Sequence, residues 1–97
     1  KLTSVVISEG VTTIDGWAFG ECTGLTSILI PDSVTAIGYA AFSDCSNLET
    51  VTIGDGVTAI QDKAFANCIN LTEITIGKSV ASFGLFVFEA FLVEDFL

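Results

Sequence analysis

Apolar and polar residues alternate over short stretches of this chain, and the same alternation returns every 23 residues. Written in rows of that length, the chain gives four rows beginning at Leu2, Leu25, Leu48 and Leu71. The fourth position of each row reads Val5, Ile28, Val51 and Ile74, and the sixth reads Ile7, Ile30, Ile53 and Ile76. The tenth is Val11, Val34, Val57, Val80; the thirteenth is Ile14, Ile37, Ile60, Phe83; the eighteenth is Phe19, Phe42, Phe65, Phe88. A fixed period in the twenties marks a solenoid, because one unit cannot bury its own apolar face and stacking the units buries it.

Within each row the first seven residues are expected to form a strand, with the fourth and sixth side chains inward and the third and fifth outward. A turn follows: Ser8-Glu9-Gly10, Pro31-Asp32-Ser33, Gly54-Asp55-Gly56, Gly77-Lys78-Ser79. Pro31 has no N–H for a ladder, so it suits a strand end. A second short extended segment comes next, Val11-Thr-Thr-Ile14 and its counterparts, and a turn or 3₁₀ piece from Ala18-Phe19 to Cys22 closes the coil. Stacked ~4.8 Å apart, four coils make a rod of roughly 20 Å. No linker or composition break appears before residue 83, so residues 1–97 read as one domain with repeats 2–24, 25–47, 48–70 and 71–93 and a divergent segment over 84–97.

The first three rows follow L-x-x-[VI]-x-I-x-x-x-V-T-x-I-x-x-x-A-F-x-x-C, as in Leu25 to Cys45. This pattern resembles the BspA-like, or Treponema pallidum type, leucine-rich repeat of bacterial surface proteins, and the resemblance covers residues 2 to about 83. It implies a mainly β, right-handed leucine-rich-repeat-like solenoid of four coils, with a parallel sheet on one face and short strands opposite. It also implies cell-surface or extracellular display and adhesion to host extracellular proteins or between cells. The family brings no catalytic motif and no cofactor. The chain opens one residue before a repeat boundary, without Met or a signal peptide, and is expected to be a piece of a longer array or a processed product. Location therefore rests on the resemblance alone.

The fourth row departs from the pattern. Val87 stands in the alanine position and Phe91 in that of cysteine, and five phenylalanines fall between Phe83 and Leu97. Terminal repeats are atypical because an open end must be covered. Leu85, Phe86, Phe88, Phe91, Leu92, Phe96 and Leu97 are thus a cap, an oligomer interface, or both at once if the segment covers a neighbour's end. The segment is too short to span a bilayer.

Charge narrows the partners. Twelve acids face only Lys1, Lys63 and Lys78, for a net charge of −9, and there is no Arg or His. Nucleic acid is excluded for want of cationic groups, and an anionic membrane surface is disfavoured for the same reason. With 51% apolar residues, the acid excess serves solubility.

Candidate chemistry is sparse. Cys22, Cys45 and Cys68 form a column at strand spacing, but parallel Cβ vectors suit a disulfide poorly and no histidine supplies a fourth metal ligand. They read as a ladder of small apolar side chains. Glu9, Asp32 and Asp55 share one column and Glu21, Asp44 and Asn67 another. Like charges so stacked repel, and calcium would relieve this, yet no loop has calcium-motif spacing. No nucleophile or phosphate loop accompanies them, so an enzyme is not expected.

The outward strand positions are the candidate binding face: Thr3, Ser4, Val6; Thr26, Ser27, Leu29; Glu49, Thr50, Thr52; Thr72, Glu73, Thr75. Solenoids bind on such extended faces, although hydroxyl and β-branched residues also suit any exposed strand. Trp17 is either a partner anchor or first-coil packing, and Asn70-Leu71-Thr72 fits a glycosylation sequon that falls on the repeat's own turn. The expected function is a non-catalytic protein–protein interaction or adhesion module with a protein or glycan partner. The alternative is a self-assembling structural unit, a homo-oligomer formed through the Phe-rich segment and the open first coil.

Overall fold

The computed structural model describes residues 4–89; Thr3, Phe91, Leu92, Phe96 and Leu97 of the readings above lie outside the described residues. The sequence period is one turn of a β-solenoid. Its strands are β1 (Thr13–Ile14), β2 (Ser27–Ile30), β3 (Ala36–Ile37), β4 (Thr50–Ile53), β5 (Ala59–Ile60), β6 (Glu73–Thr75) and β7 (Ser82–Phe83). They form two parallel sheets, β1-β3-β5-β7 and β2-β4-β6, with no helix among the described residues. Each strand pairs with its counterpart one repeat later, as in Ile28 with Val51 and Val51 with Ile74. Pro31 directly follows β2 and ends it.

Side-chain alternation makes the core. Leu25, Ile30, Val34, Ile37 and Phe42 of the second coil, with Leu48 and Val57 of the third, are fully buried. Their counterparts in the outer coils, Val5, Ile7, Phe19, Ile74, Val80 and Phe88, are only partly buried. A stack that buries its members mutually leaves both end coils half covered. The phenylalanine column runs through the centre as a pile of nearly parallel rings, with centroids 5.2, 5.1 and 5.7 Å apart from Phe19 to Phe88.

Two features differ from the sequence expectation or go beyond it. The first row was expected to begin with a strand, yet residues 4–8 enter no ladder. Val5 and Ile7 still pack on the core. The closing turns, in contrast, are more ordered than turns need be. The N–H groups of Trp17, Phe19 and Glu21 donate to the carbonyls of Tyr39, Ala41 and Ser43 one coil on, and both later coil junctions repeat the set. This third side is thus a hydrogen-bonded ladder without strands. Its geometry puts Trp17, Ala40, Lys63 and Phe86, and likewise Glu21, Asp44 and Asn67, at φ between 54° and 63°. Only Asp and Asn are residue types that favour this left-handed region; for the others it costs on the order of 1 kcal/mol each.

Candidate functional site

The parallel register assembles the outward positions into rows. Ser27, Thr50 and Glu73 are consecutive partners across the sheet, and so are Leu29, Thr52 and Thr75. Thr26, Glu49 and Thr72 flank them at the strand entrances, and Ser4 and Val6 extend the surface on the first coil. All are exposed except Thr50, which is half-buried. Val6 is 91% exposed and Leu29 64%, so two large apolar side chains stand in solvent beside the hydroxyls. The Thr72 hydroxyl donates to the Glu49 carbonyl. Those of Ser27, Thr50, Thr52 and Thr75 have no partner among the described residues and are available to a ligand.

Size decides how such a face is used. Three strands ~4.8 Å apart and a few residues long present on the order of 200 Å², against ~800 Å² taken from each partner in a stable protein interface. A partner seated there must reach beyond the strands. At the strand ends lies an open groove of about 410 Å³, where Leu29, Thr52 and Thr75 meet the acidic turns of Glu9, Asp32 and Asp55. The groove escaped the sequence reading because it depends on how deeply the turns fold, although the acid column three places after the fifth strand position was its signal.

The acid column itself has a structural role. Asp32 Oδ1 accepts the Asp55 N–H at 2.8 Å, and Asp55 Oδ1 accepts the Lys78 N–H at 3.1 Å. Each carboxylate ties its turn to the next coil, and these donors offset the mutual repulsion without an ion. No group of three or more His, Cys, Asp or Glu is placed to hold a metal among the described residues. Asn47 and Asn70 make a similar ladder, donating through Nδ2 to the carbonyls of Thr23 at 2.6 Å and Ser46 at 2.8 Å. The sequon asparagine is therefore engaged in the coil junction.

The three cysteines are free thiols. Cys45 and Cys68 donate through Sγ to the carbonyls of Phe19 and Phe42, both at 3.2 Å. The Cys68 thiol is pushed up by its contact with the Cys45 sulfur and by burial, Cys22 is raised by burial and by Cys45, and Cys45 is lowered by its hydrogen bond with Cys68. Cys22 and Cys68, held protonated in this way, are poor nucleophiles.

Trp17 lies on the third side, away from the strand face. Its ring meets Tyr39 edge-on at 6.3 Å and covers Gly20, while half of it remains in solvent. In the fourth coil Leu85 and Phe86 are exposed, whereas Phe88 is half-buried and continues the phenylalanine pile on Phe65.

A sequence model of the BspA type leucine-rich repeat region (6 copies) matches residues 1–96. Among solved structures, the crystal structure of the T. pallidum leucine-rich repeat protein is similar, with a TM-score of 0.74 and 32% identity over 76% of this chain. The match covers 35% of that protein, so the chain spans about a third of its relative's length. No curated protein matches the chain.

Proposed function

Because the chain belongs to the BspA-type leucine-rich repeat family, a family of protein-interaction repeat modules, we propose that it binds a protein partner through the exposed face of β2, β4 and β6 and the groove at the strand ends. The observation that carries this reading is the pairing of solvent-exposed Val6 and Leu29 with hydroxyls that have no partner among the described residues. The family and its fold are typically non-catalytic. The partner we favour is an extracellular protein carrying basic groups at the groove, since Glu9, Asp32 and Asp55 rim it. Display at a cell surface and a role in adhesion are part of this proposal. A glycan partner is the lesser option, for the face has no pair of coplanar aromatic rings.

The test is binding of the full chain to a panel of immobilised extracellular matrix proteins and to a glycan array. Leu29→Asp and Thr52→Arg are each expected to weaken protein binding by about tenfold or more, the effect of losing a central anchor. Gln61→Arg, exposed just after β5 on the opposite sheet, is expected to leave it unchanged. Loss with Gln61→Arg alone would move the interface to the other side, and binding confined to glycans would overturn the partner class. Self-association is the second reading, with the exposed Leu85 and Phe86 of the fourth coil as its candidate contact.

A further inference from the structure

The groove at the strand ends runs across the coils, not along the strands. One wall repeats at the sequence period as Leu29, Thr52 and Thr75, and the other as Glu9, Asp32 and Asp55. Between them lie Pro31, Gly54 and Gly77. The two glycines are required from inside the stack, because a β-carbon at either would press on the Ile30 or Gly54 carbonyl of the preceding coil. No side chain therefore rises from the floor at these two positions.

The walls are unlike. Leu29 is a large exposed apolar group, and the Thr52 and Thr75 hydroxyls have no partner among the described residues. Opposite them, Asp32 and Asp55 each commit Oδ1 to a backbone N–H of the next coil, at 2.8 and 3.1 Å. That bond sets the orientation of each carboxylate in advance, and the second oxygen meets no donor among the described residues. Glu9 and Asp32 have only acids as neighbours in their column, whereas Asp55 is followed by Lys78. The more negative end of the groove is thus at Glu9 and Asp32.

Spacing decides what fits. From Glu9 to Asp55 is two coil steps, about 10 Å, which an extended chain crosses in about three residues. About 410 Å³ over such a length leaves a channel roughly 6 Å across, too narrow for a helix of about 10 Å diameter. An extended chain laid along it turns successive side chains to opposite walls. Residues i and i+2 then face the carboxylates, while i+1 faces Leu29 and the threonines. Two cations ~6.6 Å apart, on stems as long as those of lysine or arginine, reach carboxylates on adjacent coils.

We propose that the groove takes an extended segment of the protein partner, aligned with the stack axis, with basic side chains at i and i+2 against Glu9 and Asp32 and an apolar side chain at i+1 against Leu29. The inference rests on the strand-face reading above and adds what the partner offers to the groove.

The probe is a fluorescent peptide with Arg-Leu-Arg at the centre of a Gly-Ser frame, titrated with the full chain and followed by anisotropy. A dissociation constant on the order of 100 µM is expected at low salt, with the permuted Arg-Arg-Leu peptide about fivefold weaker. Glu9→Gln and Asp32→Asn should each weaken binding about threefold and together about tenfold. Asparagine still offers Oδ1 to the Asp55 N–H, so the coil junction is kept. Lys78→Gln should tighten binding about twofold, a gain that a misfolded chain does not give. Equal affinity for the permuted peptide, or for spermine, would overturn the extended segment. Indifference to the Glu9→Gln, Asp32→Asn pair, or no peptide binding up to about 1 mM, would overturn the groove as its seat. A matrix protein whose binding falls with Leu29→Asp but not with that pair leaves the strand-face reading standing and removes this inference alone; indifference to Leu29→Asp removes both.

Discussion

Phe42→Ala is expected to destabilise the chain by about 4 kcal/mol and to lower its melting temperature by more than about 15 °C. The ring is fully buried and lies between Phe19 and Phe65, at 5.2 and 5.1 Å. Its removal loses the transfer energy of a large apolar group and leaves a void that neighbours on both sides cannot close. It also uncouples two coil junctions at once in a stack whose stability is a sum over junctions. Against a total of about 5–15 kcal/mol for a domain, that is a large share. Phe19→Ala, at the half-covered first coil, touches one junction and should cost about half as much or less. Urea and thermal unfolding followed by circular dichroism reads both values. Equal losses at the two positions would contradict the mutual burial described here.

Gly56→Ala is expected to cost about 3 kcal/mol, for a different reason. A β-carbon there would overlap the Asp32 carbonyl oxygen, with the Val34 carbonyl close behind it. The obstruction is backbone of the preceding coil, which cannot swing aside as a side chain would, so the coil junction itself has to widen. Gly10 provides the contrast. A β-carbon at that position meets nothing, but φ is +108°, so Gly10→Ala should cost about 1 kcal/mol of backbone strain alone. Chemical denaturation of the two variants separates a steric demand between coils from a conformational one within a turn. Equal losses would mean that the turns are not packed against one another.

The two strands of each coil were legible because their cause is local. Ile28 and Ile30, like Val51 and Ile53, are two apart, and a strand places them on one buried face. The same alternation put Ser27, Leu29, Thr50, Thr52 and Thr75 on a common outer surface. The phenylalanine pile was likewise readable from one column. The third side was not, because its ladder needs Trp17, Lys63 and Phe86 in a left-handed conformation that their own preferences oppose. Contacts with the next coil impose it, and no property of the single residue announces it.

What the acid column does between coils was not legible for a related reason. Stacked Asp32 and Asp55 look like repulsion on paper, but each turn brings the following coil's N–H to the carboxylate. The missing first strand belongs here too. Residues 4–8 have the right alternation yet enter no ladder, and pattern alone does not reveal this. The groove beside the strand face depends on turn depth in the same way.

The central claim, recognition by the strand face, is tested most directly by amide chemical-shift mapping of the isotope-labelled chain against the tightest-binding protein of the matrix panel. The account predicts shifts concentrated on Ser27–Ile30, Thr50–Ile53 and Glu73–Thr75 and on the acidic turns that border the groove. Shifts confined to Ala36–Ile37, Ala59–Ile60 and the Trp17–Tyr39 side would contradict it.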